Sequence, residues 1–150
     1  MKNFWVYFVG GVFIVAVVAF FVVPDPEPAG HSMTPPDTSE LADGDPIVEV
    51  NVPGELSANA RIGKTAFEAK CAACHGANAA GQNGVAPPLV HKIYEPSHHG
   101  DESFWIATQN GVRAHHWQFG NMAPVEGLTR GDVKMIVTYV RELQRANGID

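Results

Sequence analysis

The chain has 150 residues, 45% of them hydrophobic and 17% charged, which allows one small domain with appendages and a single core. Its formal charge of −6 is unevenly placed: residues 24–56 carry eight acids and no base, whereas residues 57–150 carry nine bases and eight acids. The acidity therefore belongs to one segment, and nothing resembles the basic footprint of a nucleic-acid binder.

Phe4 to Val23 is a run of 20 residues whose only polar side chain is the Tyr7 phenol. At about 1.5 Å per residue it spans about 30 Å, the thickness of a bilayer's hydrocarbon. A secretory signal peptide is the rival, but Val22-Val23-Pro24-Asp25 offers no small-x-small cleavage site. Residues 1–23 are thus expected to form an uncleaved transmembrane anchor, with Trp5 and Tyr7 as interfacial aromatics. Lys2 before the span and Asp25 and Glu27 after it put the N-terminus on the cytoplasmic side.

Residues 24–56 hold seven of the eleven prolines together with the eight acids. Such a composition buries little and resists regular structure, so it reads as an extended acidic linker with a reach on the order of 30 Å. Within it, the alternation of Val48, Val50 and Val52 suits a short strand or an extended arm, either free or docked on the following domain.

From Ser57 the pattern becomes helical. Ser57 can cap a helix that runs through Arg61 and Phe67 into a pair of cysteines, with Gly63, Phe67 and Cys71 recurring every four residues. A glycine on that face lets another helix approach closely. The helix leads into Cys71-Ala72-Ala73-Cys74-His75, a C-x-x-C-H run. Two cysteines at this spacing can each form a thioether with a haem vinyl group, and the next residue can then give its imidazole to the iron. A thioredoxin-like pair or half of a zinc site would use the same residues. Neither fits well, because there is no further cysteine and no βαβ pattern. The motif therefore predicts one covalent haem c on Cys71 and Cys74 with His75 as an axial ligand, and no structural disulfide.

Further along, Asp101 or Ser103 can start a shorter helix through Phe104, Trp105 and Ile106 to Gly111. The last helix is announced by Thr129 as N-cap, with Asp132 standing in for the usual Glu of a capping box. Its apolar residues are Val133, Ile136, Val137, Val140 and Leu143, and Asn147-Gly148 ends it. Residues 57–150 are therefore expected to be an all-α domain with long loops, its core completed by the macrocycle.

The second axial position separates the functions open to such a protein: Met suits electron transfer, His a lower-potential carrier, and an open site ligand chemistry. Met1 and Met33 precede the domain, and Met135 falls inside the last helix. Met122 lies in the loop Gly120-Asn121-Met122-Ala123-Pro124, 47 residues after His75, and is the favoured ligand.

Taken together, these features resemble a membrane-anchored, monohaem class I cytochrome c. The likeness covers residues 57–150. It rests on Gly63-x3-Phe67-x3-Cys71-x2-Cys74-His75-Gly76, on Pro87-Pro88-Leu89, on Met122 and on Tyr139 in the last helix. This chain departs from the family in reading Met122-Ala123-Pro124, where Met-Pro is the commoner form. The resemblance implies that Gly63 and Phe67 pack against the last helix near Tyr139, and that the Pro87 carbonyl accepts the Nδ1–H of His75. It also implies an electron-transfer protein rather than an enzyme. Its haem domain would sit in the periplasm, on the bacterial inner membrane. A bc1-type donor and a terminal oxidase or photosynthetic reaction centre as acceptor are the partners implied. A fixed haem subunit of a larger membrane oxidoreductase is the alternative, and a five-coordinate gas-binding or sensing protein a third reading.

His91, His98, His99, His115 and His116 exceed what a small carrier needs. The pairs His98-His99 and His115-His116 could assemble a second metal site for copper or zinc, although neighbours in a strand would point to opposite sides. Alternatively, Arg113, His115, His116 and Trp117 could line the haem rim and bond the propionates, and His115 or His116 could replace Met122 on the iron.

Overall fold

A computed structural model describes residues 33–150. The anchor expected over residues 1–23, and the start of the linker, lie outside the described residues. Among the described residues no helix is long and apolar enough to cross a membrane. These described residues hold four α-helices in order: α1 (Ala58–Lys70), α2 (Ala72–His75), α3 (Asp101–Asn110) and α4 (Arg130–Ala146). Short 3-10 turns cover Ala77–Ala79 and Lys92–Tyr94. The described residues contain no β-strand, only the isolated bridges Gln82–Ala86 and Val112–Met122.

Local chemistry sets the helix ends. Ser57 Oγ accepts from the Ala60 N–H at 3.2 Å and starts α1, where Lys64 pairs with Glu68 one turn on. The capping box of α4 is complete: Asp132 N–H donates to Thr129 Oγ1 at 3.2 Å, and Thr129 N–H donates to Asp132 Oδ2 at 2.9 Å. For α3 the cap is Gly100, rather than Asp101 or Ser103. Asp101 and Glu102 occupy the first turn, where their charge faces the positive end of the helix dipole, and the Ser103 hydroxyl turns back to the Gly100 carbonyl at 2.7 Å.

The core lies where α1 crosses α4. Gly63 is buried there, and a Cβ at this position would overlap the Met135 carbonyl of α4, so only glycine permits so close an approach. One turn on, Phe67 meets Tyr139 edge-on at 5.7 Å between centroids, and both are fully buried. Ala60, Ile136, Val140 and Leu143 complete the contact.

Two polar residues extend the buried stripe of α4. Arg141 and Gln144 continue the face of Val137 at helical spacing, and both are buried. Arg141 Nε donates to Asp101 Oδ1 at 2.9 Å, Nη1 to the Tyr94 carbonyl at 2.7 Å and to Gln144 Oε1 at 2.6 Å, and Nη2 to the His99 carbonyl at 2.5 Å. Gln144 Nε2 donates to the carbonyls of Leu89 and Tyr94 at 2.8 and 3.0 Å. The long connection from Leu89 to His99 is therefore held to α4 by polar side chains as well as by its buried apolar residues Val90 and Ile93.

The linker expected over residues 24–56 does not reach the domain as a free chain. From Leu41 onward it is docked: Ile47 and Val48 N–H groups donate to the Ala80 carbonyl, and Asn83 binds the Leu41 and Asp45 carbonyls. Asn51 exchanges two bonds of 2.9 Å with the Asn147 side chain at the end of α4. Val50 and Leu56 pack on the core. Residues 47–52 form an arm and no strand; its backbone finds Ala80 and Asn147 instead of a neighbouring strand. A boundary at Ser57 drawn from composition thus falls inside the folded body.

Candidate functional site

Cys71 marks the sharp junction between α1 and α2, and the rest of the C-x-x-C-H motif, Ala72–His75, forms α2 itself. Cys71 caps α1 with its N–H on the Phe67 carbonyl at 2.7 Å, and His75 N–H returns to the Cys71 carbonyl at 2.9 Å. Gln82 Nε2 donates to the carbonyls of Ala72 and Ala73, closing the turn from outside. No sequence pattern singled out Gln82 for that role. Cys71 is half-buried and Cys74 exposed. As a thiol, Cys71 is pushed up to about 11 by burial and, next, by the neighbouring Cys74.

The chain after His75 folds around it. Gly76 and Gly81 adopt positive φ, and so do Asn78 (φ 52°) and Ala79 (φ 60°), a sparsely populated conformation for residues with a Cβ. Two bonds hold this loop: Gly81 N–H donates to the His75 carbonyl at 2.8 Å, and the Tyr139 hydroxyl donates to Asn78 Oδ1 at 3.1 Å. The loop ends with the Pro87 carbonyl 2.8 Å from His75 Nδ1. A carbonyl can only accept, so Nδ1 carries the proton and the Nε2 lone pair is left for a metal. Burial holds the His75 pKa below its ordinary value, against the smaller opposing effect of the Pro87 bond. The imidazole is therefore neutral at pH 7, the form that ligates iron.

Met122 sits on a pinned strap. Its N–H and carbonyl both pair with Val112 at 2.9 Å, just beyond the end of α3. Gly111 (φ +72°) makes the approach: a Cβ there would overlap the Met122 carbonyl and crowd Pro124. Asn121 Oδ1 fixes the neighbouring turn by accepting from the Ala114 N–H at 2.9 Å. Met122 itself is half-buried. Met135, by contrast, lies within α4, with its backbone at the Gly63 crossing.

Trp117 is buried at 8% exposure, stacked on Phe119 and edge-on to His91, yet its indole Nε1–H has no hydrogen-bond partner of normal geometry. Burial raises the nearby Tyr94 phenol well above its ordinary value, and the Trp117 indole only partly offsets this. The Tyr94 phenol is thus an off-angle neighbour of the indole N–H, and a buried donor so poorly satisfied invites a better acceptor from a bound group. Arg113 is exposed, with its carbonyl taken by His115 Nδ1 at 2.9 Å.

The family comparison agrees with this arrangement. The family model described as cytochrome c matches residues 60–144, more than half of the chain. The chain belongs to the cytochrome c family. No curated protein and no solved structure matches it. Members of this family bind haem c covalently, and one haem is typical of so small a domain. The residues of this cytochrome c fit the group. Two cysteines flank the turn, His75 is neutral with Nε2 available, and Trp117 holds a buried donor that an anionic propionate could satisfy. A helical cytochrome c domain of this kind is an electron-transfer haem protein by family.

The two histidine pairs come together in space. His98 Nε2 and His116 Nε2 stand 3.2 Å apart, and His98, His99 and His116 present nitrogens within 4.8 Å of one another. His115, expected among them, stands outside this group and stacks on His99 at 5.9 Å. Adjacent histidines can converge because His98 and His99 follow a turn, their N–H groups both on the Glu95 carbonyl, rather than a strand.

Proposed function

We propose that this cytochrome c is a one-electron carrier of a bacterial inner-membrane electron-transport chain. In this reading residues 1–23 anchor it as a single span, and its haem domain stands in the periplasm. A bound haem supplies reversible one-electron chemistry without substrate turnover, and thioether ligation favours the reduced state. The chain's own residues do the holding. Cys71 and Cys74 fix the macrocycle covalently, His75 is aimed by its Nδ1–H on the Pro87 carbonyl, and Met122 is offered from the strap paired with Val112. The observation that carries the reading is that bond from His75 to Pro87, 2.8 Å long, because it leaves a neutral, oriented imidazole beside both cysteines. A bc1-type complex suits the donor role, and a terminal oxidase or photosynthetic reaction centre the acceptor role.

Ligation is tested at Met122. Met122→His should lower the reduction potential and abolish the weak long-wavelength band of a Met-ligated ferric haem, while Met135→Leu should leave both unchanged. Control of that band by Met135 would move the ligand to α4 and discard the strap.

Docking of residues 41–56 on the domain favours a second reading, because it leaves at most residues 24–40 to act as a tether. A shorter tether suits a haem subunit fixed in a larger membrane oxidoreductase. Gentle detergent extraction separates the two: a carrier purifies alone, whereas a subunit purifies with a catalytic chain at constant ratio.

A further inference from the structure

From the packing of the histidine pairs we propose that His98, His99 and His116 form a three-imidazole site for a divalent transition metal of the copper–zinc class, separate from the haem ligands. Two imidazole nitrogens bound to one ion at about 2.0–2.1 Å in tetrahedral geometry stand about 3.3–3.4 Å apart. The His98 Nε2 to His116 Nε2 separation of 3.2 Å is nearly that edge. His99 is set up in the way metal-binding imidazoles usually are. Its Nδ1–H donates to the Ile93 carbonyl at 2.6 Å, which fixes the tautomer and leaves Nε2 as a ligand. Its backbone is held as well, since Arg141 Nη2 donates to the His99 carbonyl.

The turn at Glu95 and the bend at His115-His116 thus bring ligands from two segments 18 residues apart to one place. The exposed His98 ring is free to adjust towards the His99 nitrogen, which stays held by its bond to the Ile93 carbonyl. Because His98 is exposed, a fourth position is open to water, as in metal sites that exchange ligands. An all-imidazole donor set with no thiolate favours Cu(II) over Zn(II) by the usual affinity order.

The rival is a plain hydrogen bond between His98 and His116. The experiment titrates the full-length, haem-loaded protein, free of any affinity tag, with Cu(II), followed by electron paramagnetic resonance and by competition with Zn(II). The expected result is one saturable site per chain with nitrogen hyperfine structure. His98→Ala and His116→Ala should each weaken it at least about tenfold, and His115→Ala should leave it unchanged. His98→Gln keeps a hydrogen-bonding group toward His116 without an imidazole, so it should weaken binding as much as His98→Ala; haem content and helical circular dichroism report that each variant is folded. Absence of saturable binding of either metal, retained affinity in His98→Gln, an equal loss in His115→Ala, or an altered haem spectrum in the His98 or His116 variants would each overturn the site. The haem spectrum also separates this proposal from ligation at Met122, which can fail or stand without it.

Discussion

The Gly63 Cα lies so close to the Met135 carbonyl that α1 and α4 touch backbone to backbone. That contact sets the crossing of the two longest helices, brings Phe67 onto Tyr139, and so aims the end of α1, with Cys71, at the loop that encloses His75. Gly63→Ala should therefore destabilise the protein by about 1–3 kcal/mol, since the obstacle is backbone that cannot rotate away. Urea unfolding followed by helical circular dichroism measures it; a midpoint unchanged from wild type would mean the helices separate at little cost.

The proposed attachment of haem at Cys71 and Cys74 needs both sulfurs. Cys71→Ser and Cys74→Ser should each reduce the haem that survives denaturing electrophoresis, because each removes one thioether. Undiminished haem stain in both variants would reject the assignment of the motif.

Arg141 and Asp101 are joined at 2.9 Å but stand in different surroundings: the Arg141 side chain is 8% exposed and that of Asp101 71%. Removing the buried partner leaves the His99 carbonyl without its donor and the Tyr94 carbonyl with only that of Gln144. Arg141→Ala should cost about 3 kcal/mol or more, whereas Asp101→Asn should cost less than about 1 kcal/mol. Thermal melts of the two variants check the asymmetry, and equal losses would show that the ion pair, rather than the carbonyl contacts, carries the stabilisation.

The docked arm offers a local test. Asn147→Ala removes both bonds to the Asn51 backbone and should cost about 0.5–1.5 kcal/mol. Hydrogen exchange should speed up at the Asn51 amide while Ile47 and Val48, bonded to Ala80, stay protected. Simultaneous loss at all three would mean the arm detaches as one unit.

The capping box of α4 makes a pH prediction. The Thr129 hydroxyl and then its backbone N–H hold Asp132 below its ordinary pKa. A carboxyl depressed in the folded state contributes stability above its unfolded pKa and loses it as pH falls through the folded value. Asp132→Asn should flatten the acid side of a plot of melting temperature against pH, between about pH 5 and pH 2. A slope identical to wild type would place acid sensitivity elsewhere.

Local chemistry was enough for much of this protein. The C-x-x-C-H spacing, the Ser57 and Thr129 caps and the α4 stripe depend on neighbours within one or two turns, so the chain alone located the C-x-x-C-H motif and the two long helices. The resemblance further supplied the Pro87 carbonyl as partner of His75, and the structure has that bond. What the tertiary structure decided involves partners distant in sequence. The arm before Ser57 is docked because Asn83 and Asn147 accept and donate to its backbone, and composition averaged over residues 24–56 carries no trace of two asparagines outside it. Arg141 and Gln144 are buried in spite of their polarity because the loop from Leu89 to His99 presents carbonyls to them. The meeting of His98 and His99 with His116 likewise depends on two bends and on Arg141 holding one of them, and alternation along an assumed strand would have kept neighbouring rings apart. Sequence fixes the period of a helix and the spacing of a motif, whereas loop backbones settle wherever distant donors and acceptors satisfy them.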